Sequence, residues 1–594
     1  MDVEPGNPDH YIIMTGYGGV WRTLDNGTTW SHIFDAEGIG LYDDVAIDPS
    51  NSSRYLVGTL DGLYETTDGG TTWTEIFSGV ARHISFDPTD PDIIIMIGHS
   101  GSRHVYRSTD GGSTWNITYN DVPFVDDIDF IPGNSDIIFL TIRGNSNMNS
   151  GFLKSTDNGL TWSEFSNGSW LDDSVLRLAT SIDDPNYLYV LEAALVTGDW
   201  PEFAAIHKSV DQGMTWTTTY DGNLITGQMS RDQCIVVSPD DKDLVHTGSL
   251  DCYKSLDGGT VWSTTTDWTN GGTLPFVHAD ISVMEYHDNI LYVCSDGGIF
   301  KSTDNAVSFT DHSIGLGIRE IYTVSVSRGA IDHLATGTQD NGTSIYNDLG
   351  WKDFAGGDGM GNHMLHSNPN LVVGSIQWGK SIFKTLNGGV SSSFCDQNGS
   401  EWGHFVFPLV GDSEDNLYKG GNEVYKLNNE NILTSSGSGC EGWTAISNFP
   451  NIADDNKLKV ITVAPSDSDV IIASFGRRFY RTFNGGDSWN ELFLPSIPGQ
   501  IYAVDIHPDD PLKTLVSYNK SGTPKVVESE NGGASWSFLS DPLPNALRVS
   551  SVVYEGGPDN GIYMECFQDY IIKVTQIQPG LLTELDFQMF WCGI

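Results

Sequence analysis

The sequence contains no run of 18 consecutive apolar residues, and long apolar segments with the period of an α-helix are missing as well. The first absence excludes a membrane-spanning helix, and the second argues against a helical bundle. The residues that follow Met1, DVEPGNPDHYI, are typical of the middle of a repeat and unlike a signal peptide. We therefore expect the natural chain to start upstream of Met1.

Basic residues are scarce, because 30 Lys and Arg residues stand against 78 Asp and Glu residues, which gives a formal net charge of -48. A surface of this sign repels a phosphate backbone, so nucleic acid is excluded as a partner. Cations, neutral glycans and basic protein patches are the partners that this charge favours. The acidic residues are scattered along the chain, as is typical of a solvated surface in extracellular or salty surroundings.

Cysteine is rare too. The seven cysteines include no CxxC pair and no spacing typical of a metal site, which excludes a metal–thiolate centre. Cys395 and Cys440 each lie in a predicted loop rich in Gly and Ser, and Cys234 and Cys252 flank one predicted hairpin. We expect one or two disulfides among these four residues if the compartment is oxidising.

What the sequence has in abundance is glycine, with 66 residues, and one nine-residue motif, of which KSTDNGLTW from Lys154 to Trp162 is a clear copy. Most copies follow one another at 42 to 47 residues, which indicates one supersecondary unit per repeat. Degenerate copies of the motif begin at Ser344, Val424 and Ile571, and they bring the number of copies to 13. The acidic position of the motif is occupied by Asp25, Asp68, Asp110, Asp157, Asp211, Asp257 and Asp304, and later by Asn387, Asn484 and Asn531.

Each repeat predicts four antiparallel strands, with the motif as the turn from the third strand to the fourth. Four such strands form the blade of a β-propeller, in which radial repetition leaves only short sheet edges. The predicted fold class is therefore all-β, and a solenoid of β-coils, which needs shorter repeats, is the alternative. Within the motif, we expect the Asp to accept backbone hydrogen bonds, the Gly to supply positive φ and the Trp to cover the blade edge.

These motifs resemble the Asp-boxes of the Asp-box (BNR) repeat β-propeller superfamily, and the resemblance covers nearly the whole chain. Within this superfamily the chain resembles secreted bacterial sortilin-like repeat proteins and two-propeller xyloglucan hydrolases. The resemblance implies two tandem seven-bladed propellers, of which about 13 blades are visible. We place the N-terminal propeller at residues 1–318 and the C-terminal propeller at residues 319–594, with a ten-bladed sortilin-like ring as the alternative.

The two faces of such a propeller have different expected roles. The Asp-boxes share one face, and we interpret them as structural turns. Paired carboxylates come just before first strands on the opposite face, at Asp43-Asp44, Asp126-Asp127 and Asp172-Asp173, and they should ring the mouth of the central channel. Such a rim is either a solvated surface or a site that binds Ca²⁺ and raises carboxyl pKa values.

The densest polar segments on this opposite face are FVHAD, CSDGG, GTQDNGT and FAGGDGMGNH, between Phe276 and His363. A long insertion from Glu192 to Ser209 adds two aromatic residues, Trp200 and Phe203, which suit sugar stacking or protein contact, or else fix their own loop. The predicted ligand-binding residues are His278, Asp280, Asp296, Gln339, Asp340, Asn341, Asp358 and Trp200.

The resemblance also allows the enzyme families to be tested. A sialidase has an Arg-Ile-Pro segment and three substrate-binding arginines, and the sequence lacks this pattern. A two-propeller xyloglucan hydrolase has one catalytic Asp ahead of an early Gly-Gly pair, where this chain has Gly16. The turns at 376–379 and 474–477 carry no carboxylate for the second. If hydrolysis occurs, the candidate catalytic residues are Asp280, Asp340 and Asp358.

The sequence favours a secreted or cell-surface binding protein over an enzyme. We expect it to engage a polysaccharide or a protein partner through the face opposite the Asp-boxes. The alternative is a glycoside hydrolase, similar to a xyloglucanase, that acts in the cleft between the two propellers.

Overall fold

The computed structural model describes residues 1–16, 18–34, 42–99, 101–144, 149–165, 168, 170–171, 174–194, 202–225, 229, 232–327, 329–397, 403–433, 439–440, 442–449, 457–496, 499–519, 525–539, 549–556, 561–566, 570–574 and 585–586. The chain folds into two compact units, unit 1 from Met1 to Ile318 and unit 2 from Arg319 to Ile594. The described strands form thirteen four-stranded sheets, in each of which the strands lie side by side in chain order. The predicted all-β class is confirmed.

Seven of the sheets belong to unit 1. Their strands are β1 Asp2–Val3, β2 Tyr11–Thr15, β3 Gly19–Thr23, β4 Ser31–Phe34; β5 Tyr42–Asp48, β6 Asn51–Thr59, β7 Gly62–Thr66, β8 Thr74–Ser78; β9 Val80–Phe86, β10 Ile94–His99, β11 Arg103–Ser108, β12 Asn116–Tyr119; β13 Phe124–Ile131, β14 Asn134–Arg143, β15 Gly151–Ser155, β16 Ser163–Phe165; β17 Val175–Thr180, β18 Leu188–Ala194, β19 Glu202–Ser209, β20 Thr217–Tyr220; β21 Cys234–Ser238, β22 Asp241–Gly248, β23 Cys252–Ser255, β24 Trp262–Thr264; β25 Ile281–His287, β26 Ile290–Ser295, β27 Gly298–Ser302 and β28 Thr310–Asp311.

The described residues of unit 2 form six sheets. Their strands are β29 Ile321–Ser327, β30 Ala330–Thr338, β31 Gly342–Asn347, β32 Gly350–Ala355; β33 Gly359–Met364, β34 Val372–Ile376, β35 Ser381–Thr385, β36 Ser393–Gln397; β37 Leu409–Gly411, β38 Leu417–Gly420, β39 Val424–Leu427, β40 Thr444–Ala445; β41 Val460–Ala464, β42 Asp467–Phe475, β43 Arg478–Thr482, β44 Asn490–Leu492; β45 Gln500–Ile506, β46 Thr514–Asn519, β47 Val526–Ser529, β48 Ser537–Phe538; β49 Val549–Tyr554, β50 Ile562–Cys566, β51 Tyr570–Val574 and β52 Leu585–Asp586. Two short helices are a 3-10 turn at Gln377–Gly379 and α1 at Glu430–Leu433. Among the described residues, no helix has the length and apolar character that a membrane span requires.

Unit 1 closes on itself. The first strand of each sheet packs against the first strand of the next. The seventh sheet returns to the first, because Tyr292 and Ile299 pack in one apolar cluster with Tyr11. At this junction Lys301 Nζ donates a hydrogen bond to Asn26 Oδ1 (2.5 Å), and Trp30 Nε1 donates one to the His312 carbonyl oxygen (3.1 Å). A ring that closes after seven sheets is a seven-bladed propeller, so the ten-bladed alternative is wrong.

The Asp-boxes have the hydrogen bonds that their turn requires. In the copy at Lys154 to Trp162, Asp157 Oδ1 accepts from the Thr161 N–H (2.8 Å) and Oδ2 accepts from the Thr161 hydroxyl (2.6 Å). The box tryptophan reaches the preceding sheet, because Trp162 Nε1 donates to Thr118 Oγ1 (3.0 Å). Asn484 retains part of this pattern, since its Oδ1 accepts from the Ser488 N–H (3.0 Å). The box at Asp157 therefore closes its own turn and ties one blade to the preceding one.

The hydrogen bonds of the box lower the pKa of its carboxyl group. For Asp68 the N–H and then the hydroxyl of Thr72 lower the pKa to about 2. The pKa values of the other six box aspartates are lowered in the same direction, although burial opposes the shift at Asp304. A carboxyl group with a folded pKa below its unfolded value, about 3.9, stabilises the fold above that pH. The stabilisation is lost as the pH falls towards 2.

We therefore expect acid to destabilise unit 1 more than unit 2 between pH 4 and pH 2. The clear boxes of unit 1 carry Asp, whereas Asn387, Asn484 and Asn531 of unit 2 do not titrate. Buried Asp2 and Asp127 have pKa values raised to about 6, and they become protonated in the folded state before this window is reached. Hydrogen exchange of peptides from each unit at pH 4, 3 and 2 measures the difference. In an Asp68→Asn variant the box peptide should stay protected at pH 2, and equal loss in both proteins would contradict the assignment.

Only one of the two predicted cysteine pairs is bonded. Cys395 and Cys440 form a disulfide that closes a sequence separation of 45 residues in unit 2. Cys395 lies within β36, in contrast to the predicted loop position. Cys234 and Cys252 are buried free thiols. Cys234 lies on β21 and Cys252 on β23, the strands on either side of β22, and each pairs in register with Gly248 of β22.

Candidate functional site

The four polar segments are divided between the two units. FVHAD and CSDGG belong to unit 1, whereas GTQDNGT and FAGGDGMGNH belong to unit 2. Each half of the predicted site therefore has its own scaffold.

In unit 1 the structure places His278 against the turn that contains Asp296. A Cβ atom on Gly297 would lie 2.3 Å from His278 Cβ, so only glycine fits between them. Asp280 has a positive φ of 61° and stands directly before β25. Its left-handed backbone conformation lies at the end of the loop that leads into β25, the first strand of the seventh sheet of unit 1.

In unit 2 the structure brings Gln339, Asp340 and Asp358 together. The Asp340 N–H donates to Asp358 Oδ1 (2.9 Å), and Gln339 Nε2 donates to Asp340 Oδ2 (3.2 Å). Asn341 closes the same turn, since its N–H donates to the Gln339 carbonyl oxygen (2.6 Å). Glycine makes this approach sterically allowed, because a Cβ atom on Gly359 would lie 2.0 Å from the Gly342 carbonyl oxygen. The Asp358 carboxylate thus contacts the backbone of the turn that carries Asp340 in the neighbouring blade.

The turn at 376–379 lies against Asp358. The Asp358 N–H donates to Gln377 Oε1 (3.1 Å), and the Gln377 N–H donates to the Asp358 carbonyl oxygen (3.0 Å). The turn itself carries no carboxylate, and Asp358 of the neighbouring connection contacts it through these two hydrogen bonds. The sequence does not reveal this contact, because it joins residues of two separate loops.

Aromatic side chains flank the carboxylates. Trp378 has a φ of 63°, a conformation that is rare and strained for a bulky residue, and its side chain is 38% exposed. Its ring centroid lies 5.2 Å from that of Phe405, which in turn packs edge-on against Tyr322 at 6.1 Å. The Tyr322 hydroxyl donates to Gln339 Oε1 (2.8 Å). A strained, partly exposed tryptophan beside two carboxylates is typical of a ligand-binding site.

Charges in this site change its titration. Burial and the Asp340 carboxylate raise the pKa of Glu320, whose carbonyl oxygen accepts from the Gln339 N–H (2.9 Å). Burial, followed by the charges of Asp358, Glu320 and Asp340, raises the pKa of Tyr322 to about 12. Sequence reasoning missed Glu320, Tyr322, Trp378 and Phe405, because they lie outside the four polar segments.

Other predicted residues have different surroundings. Phe203 lies within β19 and packs on Tyr220, with ring centroids 6.1 Å apart, which corrects the expectation of an exposed loop aromatic. The predicted insertion is mostly strand, because Glu192 belongs to β18 and residues 202–209 form β19. Trp200, Asp172 and Asp173 lie outside the described residues.

One described cluster has the geometry of a metal site. Asp332, His333 and Asp348 each offer a ligand atom, and these atoms lie within 4.8 Å of one another. An imidazole with two carboxylates suits a transition metal better than Ca²⁺, which takes about six to eight oxygen ligands. None of the three belongs to the predicted acidic rim, so a Ca²⁺ site at the rim stays a prediction.

Comparison with known proteins bears on the fold first. A family model described as Sortilin-Vps10 (Sortilin, neurotensin receptor 3) matches residues 18–123. The GH74 xyloglucanase from Xanthomonas campestris superimposes with a TM-score of 0.62, covering 95% of this chain and 96% of that chain at 13% identity. An ancestral GH74 enzyme gives a TM-score of 0.59, covering 99% of this chain and 82% of that chain at 16% identity. The resemblance to Asp-box propeller proteins is confirmed.

Two curated relatives are similar over a short stretch. Xyloglucanase Xgh74A of Acetivibrio thermocellus is 32% identical over 106 residues, which are 17% of this chain and 12% of that protein. A xyloglucanase of Paenibacillus sp is 33% identical over 111 residues, which are 18% of this chain and 11% of that protein. The matched stretch thus spans only a small part of either relative's length.

Proposed function

We propose that this protein is a glycoside hydrolase that cleaves a neutral polysaccharide of the xyloglucan type. The observation that carries the proposal is the similarity to proteins named xyloglucanases, over a stretch of sequence and across the fold. These comparisons support the hydrolase alternative better than the binding role that the sequence favoured, and they lend no support to a non-enzymatic role.

The carboxylates of unit 2 supply the chemistry in this proposal. Glycoside hydrolysis uses one carboxylic acid to protonate the leaving oxygen and one carboxylate to activate water or attack the sugar. Glu320 suits the acid role, because its raised pKa keeps a proton available nearer neutral pH. Asp340 and Asp358 are the candidates for the second role, and Asp280 of unit 1 remains a further candidate. Trp378 and Tyr322 offer rings on which sugars stack.

The proposal also includes the domains, the partner and the location of the protein. We assign Met1–Ile318 and Arg319–Ile594 to two propeller domains, with a polysaccharide as the partner and a secreted or cell-surface location. His278, Asp296, Gln339 and Asn341 remain candidate ligand-binding residues.

A binding role without turnover is the second candidate function. It is favoured by Gly16, which occupies the place of a catalytic Asp in the hydrolase resemblance. A Cβ atom on Gly16 would meet no other atom within 4 Å, so the fold leaves room for the side chain that the sequence lacks. The proposed hydrolase therefore uses other carboxylates.

Release of reducing ends from xyloglucan, mixed-linkage glucan and algal polysaccharides tests the function. We expect release from xyloglucan by the purified chain and loss of release by Glu320→Gln. Binding of xyloglucan with no release from any substrate would favour the second candidate instead.

A further inference from the structure

Three potential metal ligands meet at one end of the first sheet of unit 2. Asp332 and His333 lie near the start of β30, and Asp348 lies in the turn that connects β31 to β32. Each side chain offers one ligand atom, and these atoms lie within 4.8 Å of one another. The part of the chain that the structure describes contains no other group of three His, Cys, Asp or Glu side chains with this geometry, although the sequence has 78 acidic residues.

The turn that carries Asp348 differs from the Asp-box turns. Asn347 pairs in register with Gly350, so only Asp348 and Leu349 connect the two strands. The Leu349 N–H donates to Asn347 Oδ1 (2.9 Å), and no group of the described residues donates a hydrogen bond to the Asp348 carboxylate. The acidic side chain of an Asp-box, by contrast, closes its own turn. The Asp348 carboxylate is therefore available to a metal ion.

The strand pairing places the two carboxylates opposite each other. Leu334 of β30 pairs with Tyr346 of β31 in antiparallel register. Two residues further along, the same register puts Asp332 opposite Asp348, in agreement with the short distances between their ligand atoms. Like charges in directly opposite positions destabilise a pair of strands. A cation bound between the two carboxylates replaces this repulsion with attraction.

His333 brings a nitrogen ligand to the same place. Its side chain is only 9% exposed, so the surrounding sheet fixes the position of the ring. His333 Nδ1 lies 3.2 Å from Asp332 Oδ1, and among the described residues no hydrogen bond reaches Nε2. The Asp332 side chain is 76% exposed. The buried imidazole thus fixes one ligand, and the exposed carboxylates can rotate towards a metal ion.

We propose that Asp332, His333 and Asp348 bind a divalent first-row transition metal ion such as Zn²⁺. Imidazole nitrogen is a good ligand for Zn²⁺, whereas Ca²⁺ takes about six to eight oxygen ligands. Three protein ligands, with water in the remaining position, match a common coordination of Zn²⁺. The ion holds the turn between β31 and β32 to β30, in place of the hydrogen bonds of an Asp-box. The site lies at the other end of β30 from Gln339 and Asp340, so it does not depend on the proposed hydrolase function.

Calorimetric titration of the whole chain, prepared without a histidine tag and freed of metal by chelator, tests the site. Zn²⁺ is added in a large excess of Ca²⁺, which occupies surface sites made of carboxylates alone. We expect one saturable binding event per chain. Asp348→Asn and His333→Gln should each weaken it about tenfold or more, because each removes a ligand. Asp487→Asn is the matched control, since it makes the same change at an exposed turn position of unit 2 and should bind Zn²⁺ as the wild type does.

Two further measurements separate ligation from surface charge. Co²⁺ bound in place of Zn²⁺ should give visible absorption that reports an imidazole ligand, and His333→Gln should lose this absorption. Hydrogen exchange of the peptide that covers β31 and β32 should slow when Zn²⁺ is added to the wild type, because a ligand of the folded state suppresses local opening. The same peptide in Asp348→Asn should not respond.

Two outcomes overturn the site, namely absence of saturable Zn²⁺ binding in excess Ca²⁺ and wild-type affinity in both Asp348→Asn and His333→Gln. Unchanged exchange at the turn with Zn²⁺ bound would refute its role in holding the turn. Melting temperatures identify any loss that arises from unfolding, and Asp348→Asn, at an exposed turn position, keeps the test valid if His333→Gln unfolds. Zn²⁺ binding without xyloglucan cleavage would refute the proposed function and leave this site standing.

Discussion

Asp358→Asn and Asp340→Asn are each expected to reduce the kcat for xyloglucan cleavage by about 10²- to 10⁴-fold, the range found for loss of a catalytic acid or base. The fold should survive both changes. An asparagine at position 358 retains the oxygen that accepts the Asp340 N–H at 2.9 Å, so the turn that joins the two blades keeps its hydrogen bond. KM should change much less than kcat, because the amide has nearly the same shape as the carboxylate.

Initial rates on xyloglucan, measured with melting temperatures, check this expectation. Asp487→Asn is the matched control, since Asp487 is an exposed residue of the box turn at Asn484 and plays no part in the proposed chemistry. Its rate should equal that of the wild type. Cleavage that persists in the Asp340→Asn, Asp358→Asn double variant would place catalysis on other carboxylates, even though it would support an enzyme.

The pH profile separates the two roles. An acid catalyst must carry its proton, so the rate should fall as the pH rises through the raised pKa of Glu320. Glu320→Gln should abolish this alkaline fall together with most of the activity. Because the Asp340 charge contributes to the raised pKa, Asp340→Asn should move the alkaline fall to lower pH. A purely structural role for Asp340 would leave the position of the fall unchanged.

The fold was accessible from the sequence because its causes are local and repeated. Most Asp-boxes contain their own acceptor, a positive-φ glycine and a covering tryptophan, so the spacing of Asp157 from its neighbouring copies predicts one blade after another. The same reasoning indicated that the boxes are structural, and the hydrogen bonds between Asp157 and Thr161 agree with that interpretation.

The candidate site was accessible only in part. The polar segments GTQDNGT and FAGGDGMGNH predicted Asp340 and Asp358 as candidate site residues, because these carboxylates lie outside the repeated motif and at the ends of blades. Glu320 and Trp378 escaped notice for a physical reason. The role of Glu320 depends on a neighbouring charge from another connection, and that of Trp378 depends on a left-handed backbone conformation. Neither a through-space charge nor a strained dihedral angle leaves a pattern in the sequence.

Removal of the Cys395–Cys440 disulfide is expected to lower the free energy of unfolding of unit 2 by about 2–4 kcal/mol. The bond closes a sequence separation of 45 residues, so its loss gives the unfolded chain considerably more freedom. Both cysteines are buried in one apolar cluster with Leu427 and Ile432. Lys384 Nζ donates to the Ile432 carbonyl oxygen (2.8 Å) within the same region.

Urea unfolding of the Cys395→Ala, Cys440→Ala variant, with and without reductant, measures this contribution. Reductant should lower the midpoint of the wild type towards that of the variant and leave the variant unchanged. Cys234→Ala is the matched control, because it removes a buried free thiol from unit 1. In this variant the urea midpoint of unit 2 should fall with reductant by as much as in the wild type. A wild-type midpoint that does not change when the disulfide is demonstrably reduced would contradict this expectation. It would mean that packing in the apolar cluster compensates for the freedom gained by the unfolded chain.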